Sequence, residues 1–340
     1  MSSYVTNLSP ADEDTSSKDT HGIRADHPVT AMPVPRRGVA AYIELTKPRI
    51  TVLLLITCVA GAFCAAQGMP PLGTLLVTAL GLALSSGGAS ALNHVIDRDI
   101  DRMMPRTAAR PVAAGSISAG AAAVFGVVLM AAACALLWLV VHPVTAWLAL
   151  AGGAFYVVVY TVLLKRTTVQ NIVIGGAAGA VPPLVGWSSV DPNLGLGAWA
   201  LFAIIFMWTP PHFWALAMLI RDEYAAAQVP MLPVVAGDMA TARQIWWYTV
   251  LLAITTVIPV ALGAFGAVFL VSALLLNGWL LAAAFRLRGT VAAAEGTESA
   301  ERARVIRADA RVMFLRSMTY LALVFAAAVI DQAVWTRTIG

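Results

Sequence analysis

The sequence predicts an all-α integral membrane protein: a bundle of about nine transmembrane helices whose polar inner loops cap an active site. Three observations predict it. Of the 340 residues, 59% are hydrophobic and only 12% are charged, whereas soluble domains have roughly 45–50% and about 25%. The mean hydropathy is +0.79. The apolar residues also gather into runs of about 20, the length of helix that crosses a ~30 Å hydrocarbon layer.

These runs occupy 50–67, 72–92, 119–140, 144–164, 169–187, 197–220, 245–263, 264–285 and 313–334. Helices are expected because a backbone in lipid must satisfy its own hydrogen bonds. The runs 245–263 and 264–285 are divided only around Gly263–Gly266, but together they are too long for one crossing. Residues 1–38 are polar, without an apolar segment behind a basic start. They read as a disordered cytosolic tail rather than a secretory signal, and 39–340 as a single membrane domain.

The net charge of +4 does not imply nucleic acid, because the basic residues sit in short segments between apolar runs. That distribution is a topology signal. With nine spans and an inner N-terminus, 20 of the 22 Lys and Arg residues fall on inner segments. Arg316 lies just inside the last run and Arg337 beyond it. The expected location is the cell membrane, with the N-terminus cytoplasmic and the C-terminus outside. The long inner segments are 93–118, 221–244 and 286–312, so polar chemistry is expected at the cytosolic face. Cys58, Cys64 and Cys134 lie in apolar runs without paired spacing and read as small buried hydrophobes.

The first inner segment carries the densest chemistry. With no breaker before Pro105, the second helix is expected to continue to about Met104. On it Asn93, Asp97 and Asp101 recur every fourth residue, so all three point from one face on successive turns. Two carboxylates and an amide so stacked suit a hard divalent cation. Mg²⁺ in particular is held by one or two carboxylates, with substrate phosphates and water completing its shell. Asp99 falls on the opposite face. Arg106 and Arg110 follow Pro105, and guanidinium forks beside a metal are suited to a diphosphate. The structural alternative is a solvated helix end whose Asp residues pair with Arg98, Arg102 and Arg106. Either way, several charges need a polar cavity or the interface, since each costs about 2.5–3.5 kcal/mol at mid-membrane.

Asn93-x3-Asp97-x3-Asp101 followed by Arg106-Thr107-x2-Arg110-Pro111 resembles the first signature of the UbiA-type intramembrane prenyltransferases. Four further stretches resemble the haem-farnesylating branch of that family. They are Leu45-Thr46-Lys47-Pro48-Arg49, the segment Gln170 to Pro183, Pro211-His212-Phe213-Trp214, and Val229-Pro230-Met231-Leu232-Pro233-Val234-Val235. The likeness covers residues 40–335.

The resemblance implies transfer of a farnesyl group from farnesyl diphosphate to a vinyl group of protohaem IX (haem B), giving haem O. It implies Mg²⁺ bound with the diphosphate, held by Asn93, Asp97 and Asp101 and by a second acidic motif at Asp222-Glu223-Tyr224. That second motif departs from the family pattern. Asp222 is followed four residues later by Ala226, and Glu223 stands where the branch commonly has Asp, which leaves open which of the two faces a metal.

Lys47, Arg49, Arg106, Arg110, Tyr160 and Lys165 are implied diphosphate contacts; without the resemblance, the cations at span ends read as membrane anchors. His212, behind Pro210-Pro211 in an apolar run, either ligates or orients the porphyrin or bonds a carbonyl freed by the prolines. His94 and His142, near span ends, are expected to have no catalytic role. The alternatives are a relative prenylating a quinone precursor or another tetrapyrrole, or a transporter with Gly- and Pro-interrupted spans. A homo-oligomer, or a downstream haem-modifying enzyme, fits the reading as a partner.

Overall fold

The chain is arranged as helices joined by short connections, and the computed structural model describes residues 37–294 and 299–339. The expected tail, apart from Arg37 and Gly38, lies outside the described residues. In chain order the elements are α1 (Val39–Leu45), α2 (Pro48–Ala66), α3 (Leu72–Ile96), α4 (Arg98–Met103) and α5 (Ala119–Val140). There follow α6 (Pro143–Leu164), α7 (Asn171–Ala180), α8 (Pro182–Ser188) and α9 (Leu196–Leu219). The short α10 (Arg221–Ala226) and α11 (Leu232–Val235) lead to α12 (Gly237–Ala261), α13 (Ala267–Ala293) and α14 (Ser299–Ile339).

Eight of these helices are long and apolar enough to cross a membrane. The expected ninth span, 169–187, is a broken one, because α7 and α8 meet at Val181 where Pro182 and Pro183 interrupt the helical ladder. End to end they still cover about 27 Å at 1.5 Å per residue. Neighbours follow one another around the bundle, and α14 closes the ring against α2. Large apolar side chains such as Leu139 and Leu275 (80% and 70% exposed) face outward, where only lipid can cover them.

The helix ends show why the chain turns where it does. Pro48 and Pro143 open α2 and α6 at the position where a missing N–H costs nothing. Ser118 caps α5 by accepting from Ala121 N at 3.2 Å, and His142 Nδ1 caps α6 by accepting from Val144 N at 3.1 Å. The buried Asp331 carboxylate of α14 accepts from Gly266 N at 2.6 Å and Phe269 N at 3.0 Å, capping α13 from a neighbouring helix.

Three expectations need correction. The second helix does not run unbroken to Met104: α3 stops at Ile96, and Asp97, with φ −87° and ψ 4°, joins it to α4. The register survives, because Asp97 N bonds Asn93 O at 2.9 Å and Asp101 N bonds Asp97 O at 2.8 Å. The expected loop 286–312 is helical at all its described residues except Ala294, the C-cap of α13, since α13 runs to Ala293 and α14 starts at Ser299. Ala and Arg are strong helix formers, so helix continues past the point where hydropathy falls. Lastly, the C-terminal half of α6, Phe155–Leu164, is a π-helix, which a period of 3.6 does not reveal.

Close backbone crossings rest on glycines. A Cβ on Gly186 would lie 1.8 Å from Cys58 O, and one on Gly61 would lie 2.3 Å from Pro183 O, so α8 sits backbone to backbone on α2. Gly186→Ala should therefore destabilise the protein by at least about 1–3 kcal/mol through overpacking. Gly278 is in a helix interior with nothing within 4 Å of its Cβ position, and Gly278→Ala should stabilise by about 0.5–1 kcal/mol. Thermal unfolding in detergent measures both; equal melting temperatures would show that the α2–α8 crossing is not the tight contact described.

Candidate active site

At one end of the bundle, the N-terminus of α2, the C-termini of α3 and α6, and the segment from α4 to Pro111 bring a set of charges together. Asp97 is fully buried, and Asn93 and Asp101 are nearly so. Asn93 is fully engaged: its Oδ1 accepts from Lys47 Nζ at 2.7 Å, and its Nδ2 donates to Asp97 Oδ2 at 2.7 Å and Thr161 Oγ1 at 3.1 Å. An ammonium can only donate and a carboxylate can only accept, which settles the orientation of the amide. Lys165 Nζ completes the arrangement, donating to the same Asp97 oxygen at 2.5 Å. Arg110 spans both oxygens of Asp101 at 2.8 and 2.9 Å through one guanidinium nitrogen.

The local backbone explains these placements. Lys47 sits at the N-cap of α2 in the left-handed conformation, φ 48°, which directs the chain into Pro48. In the π-helical half of α6, Thr161 Oγ1 bonds Tyr156 O and Lys165 N bonds Tyr160 O, both five residues back. The wider turn stacks the Tyr156 and Tyr160 rings 5.6 Å apart at 18°. Tyr156 Oη also accepts from Lys47 at 3.2 Å. Gly175 of α7 makes room for Tyr160, since a Cβ there would lie 2.4 Å from the ring.

The electrostatics are those of a site short of negative charge. Lys165 and Arg110 bring two positive charges against the buried Asp97 and Asp101, and Lys47 adds a third whenever it is protonated. Burial, then the charges of Arg110 and Lys165, push the Lys47 ammonium down to about 7. Asp97 Oδ1 is buried without a hydrogen bond, with Arg166 3.9 Å away, and Glu223 Oε2 is likewise unpartnered, 3.8 Å from Arg106 Nε. Two orphaned acceptor oxygens fit a hard cation or a donor arriving with substrate. Among the described residues no three His, Cys, Asp or Glu side chains are grouped to hold a metal by themselves. That fits an ion which takes most of its shell from phosphates and water.

Not every expected residue joins this cluster. Asp222 is 83% exposed on its side chain and pairs with Arg307 of α14 at 2.8 Å, away from Arg106, whereas Glu223 turns toward Arg106 and links α10 to the segment after α4. Half-buried Tyr224 lies beside Glu223, its hydroxyl pKa raised by burial. Arg49 is exposed and makes no ion pair with the cluster. Asp99 does face away, but its partner is Arg166 of the α6 end, at 2.7 Å from each carboxylate oxygen, rather than Arg98, Arg102 or Arg106. Those bonds hold its carboxyl down to about 2. His94 is buried with neither ring nitrogen bonded.

His212 lies about 10 Å along α9 from its C-terminal end at 1.5 Å per residue. Its partner is Ser317 Oγ of α14, 2.8 Å from Nδ1, and not a carbonyl freed by the prolines. Trp208 stacks on one face with centroids 4.2 Å apart, and Phe314 stacks at 4.8 Å. Tyr156, Thr161, Arg166 and Ser317 were not singled out from the sequence. Only Arg166, beside Lys165 at a span end, carried a signal there.

The sequence pattern of the UbiA prenyltransferase family matches residues 54–300. A protein named protoheme IX farnesyltransferase from Gloeobacter violaceus is 51% identical over 301 residues, 88% of this chain and 94% of its own. Among solved structures, digeranylgeranylglyceryl phosphate synthase shares the fold with a TM-score of 0.70 at 16% identity, over 87% of this chain and 98% of that one. A UbiA homologue from Archaeoglobus fulgidus, bound to DMAPP and Mg²⁺, gives a TM-score of 0.56 at 14% identity, over 83% and 99%. The chain is thus a multi-pass membrane protein that belongs to the UbiA prenyltransferase family.

Proposed function

We propose that the protein transfers the farnesyl group of farnesyl diphosphate to a vinyl carbon of protohaem IX, giving haem O and releasing diphosphate. The observation that carries the choice of substrates is the 51% identity, over 88% of the chain, to a protein named for that activity. The buried carboxylate–cation cluster supports the chemistry.

Lys47, Lys165 and Arg110 supply the positive field in which a diphosphate binds and its leaving-group charge develops. Asp97 and Asp101, with Asn93 orienting Asp97, would hold Mg²⁺ together with Glu223 of α10. When bound with the diphosphate, Mg²⁺ neutralises charge on its oxygens. The carbon–oxygen bond to diphosphate breaks with its electron pair leaving on oxygen. The vinyl π electrons then form the new carbon–carbon bond, and water supplies the hydroxyl of the hydroxyethylfarnesyl group, releasing a proton. The apolar walls of the spans hold the farnesyl chain and keep water from the allylic cation until then. His212 contacts the porphyrin.

The site faces the cytosol in this reading, with the N-terminus cytoplasmic and the C-terminus outside the cell membrane. The concentration of Lys and Arg at the end of the bundle that carries the cluster supports it.

Incubation with farnesyl diphosphate and either haem B or 4-hydroxybenzoate, with products weighed by mass spectrometry, tests the function. Farnesylated haem is expected from the first acceptor and nothing from the second. Asp97→Asn or Asp101→Asn should lower turnover by about 10²-fold or more, and Asp99→Asn much less, with little Mg²⁺ dependence. A product from 4-hydroxybenzoate alone would overturn the acceptor. The greatest loss in Asp99→Asn at equal protein level would overturn the site.

Sidedness is checked by thiol labelling in whole cells, in a Cys134→Ala background. A cysteine at Ser189, the C-cap of α8, should label from outside, and one at Gly237 only after permeabilisation. The reverse pattern would put the cluster on the wrong face.

A further inference from the structure

The hydrogen bonds around Ser317 dictate which nitrogen of His212 carries a proton. Ser317 Oγ lies 2.7 Å from Phe314 O and 2.8 Å from His212 Nδ1. A carbonyl oxygen only accepts, so the single hydroxyl proton of Ser317 is committed to Phe314 O. Toward the ring Ser317 is then left only as an acceptor, and the proton must sit on Nδ1. In the uncharged ring the lone pair is therefore on Nε2, which has no partner among the described residues.

Nothing in this arrangement is free to turn. Ser317 is fully buried, and its own carbonyl accepts from Trp208 Nε1 at 2.7 Å, tying that turn of α14 to α9. The same Trp208 covers one face of the imidazole, and Phe314 stacks on it too, at interplanar angles of 19° and 25°. Phe213 meets the ring edge-on at 5.2 Å. With Trp208 and Phe314 stacked on the ring and Nδ1 anchored, Nε2 is the ring atom left to act.

We propose that Ser317 is a positioning residue that locks His212 in the Nδ1–H form, so that the Nε2 lone pair ligates the iron of the porphyrin substrate. The inference rests on the reading that haem is the acceptor. The logic is that of metal-bound histidines generally, in which the second ring nitrogen donates to a fixed acceptor that sets tautomer and orientation and raises ligand basicity. The iron–imidazole bond would hold the macrocycle at a fixed depth along α9 and α14. Ser317 touches neither iron nor porphyrin and acts through the ring.

The test uses the full-length protein in detergent, titrated with ferric haem B and separately with farnesyl diphosphate, with the Soret spectrum recording ligation. Ser317→Ala should weaken haem binding about 10–100-fold and shift the Soret band while leaving farnesyl diphosphate affinity unchanged. Ser317→Thr, which keeps a hydroxyl, should recover binding, and Ser317→Ala should add nothing in a His212→Ala background. The ¹⁵N shifts of His212 in the unmodified protein should report Nδ1–H, a readout that does not depend on any variant folding.

An Nε2–H ring would overturn the proposal. So would an unaltered spectrum and affinity in Ser317→Ala when His212→Ala changes both; that result would leave haem as the acceptor. Parallel loss of haem affinity, farnesyl diphosphate affinity and melting temperature in Ser317→Ala would assign the serine to packing instead. If the unmodified protein binds no haem, both this inference and the reading beneath it fall.

Discussion

Asp97 has no surface exposed, and an ionised carboxylate in such a place must be neutralised by something close. Lys165 and Asn93 meet that demand on one oxygen, and Lys47 reaches the same group through Asn93. These four residues come from the ends of α2, α3 and α6, so one buried charge ties three helices together at one end of the bundle. Breaking such a pair from one side costs about 3–5 kcal/mol, because the remaining charge stays buried alone. Arg110 does for Asp101 what Lys165 does for Asp97, and in doing so folds the segment after Pro105 back over the helix end. The free oxygen of Asp97 and the surplus of positive charge are what remain, and both are features a diphosphate with its metal would complete.

Irregular helix geometry does the positioning. In a strict α-helix Tyr156 would point about 140° away from Thr161; the wider turn of the π-segment brings Tyr156 to Lys47 on the side where Thr161 meets Asn93. The proline break between α7 and α8 lets Gly186 meet the α2 backbone, which fixes α2 beneath its Lys47 cap. Deeper in the bundle, α9 continues through Pro210 and Pro211 and carries His212 against α14. The charged cluster and the histidine pocket thus stand on different helices, the first on α2, α3 and α6 and the second on α9 and α14, and α14 packs against α2.

The spacing of Asn93, Asp97 and Asp101 was legible because a four-residue repeat means one face whether or not the helix has a joint at Asp97. The fold class was legible because lipid leaves a long apolar run few choices of structure. What escaped depends on three-dimensional partners or on a period the sequence does not advertise. Tyr156 and Thr161 are five residues apart, which reads as different faces in an α-helix. Nothing near Asp222 hints that Arg307, 85 residues on, takes it out toward solvent while Glu223 turns inward. Ser317 is one small polar residue in an apolar run, meaningful only because α14 lies on α9. The helical extensions of α13 and α14 escaped because hydropathy marks where lipid ends and not where helix ends.

The central claim is that the buried pair Asp97 and Asp101 receives the metal and the diphosphate together. A structure of the protein with Mg²⁺ and a non-hydrolysable farnesyl thiodiphosphate tests it most directly. The expected result is a metal at about 2.0–2.1 Å from an oxygen of Asp97 or Asp101, with the diphosphate in contact with Arg110 and Lys165. A metal and diphosphate seated instead at Asp222 and Arg307, with Asp97 still bound only by Lys165 and Asn93, would contradict it.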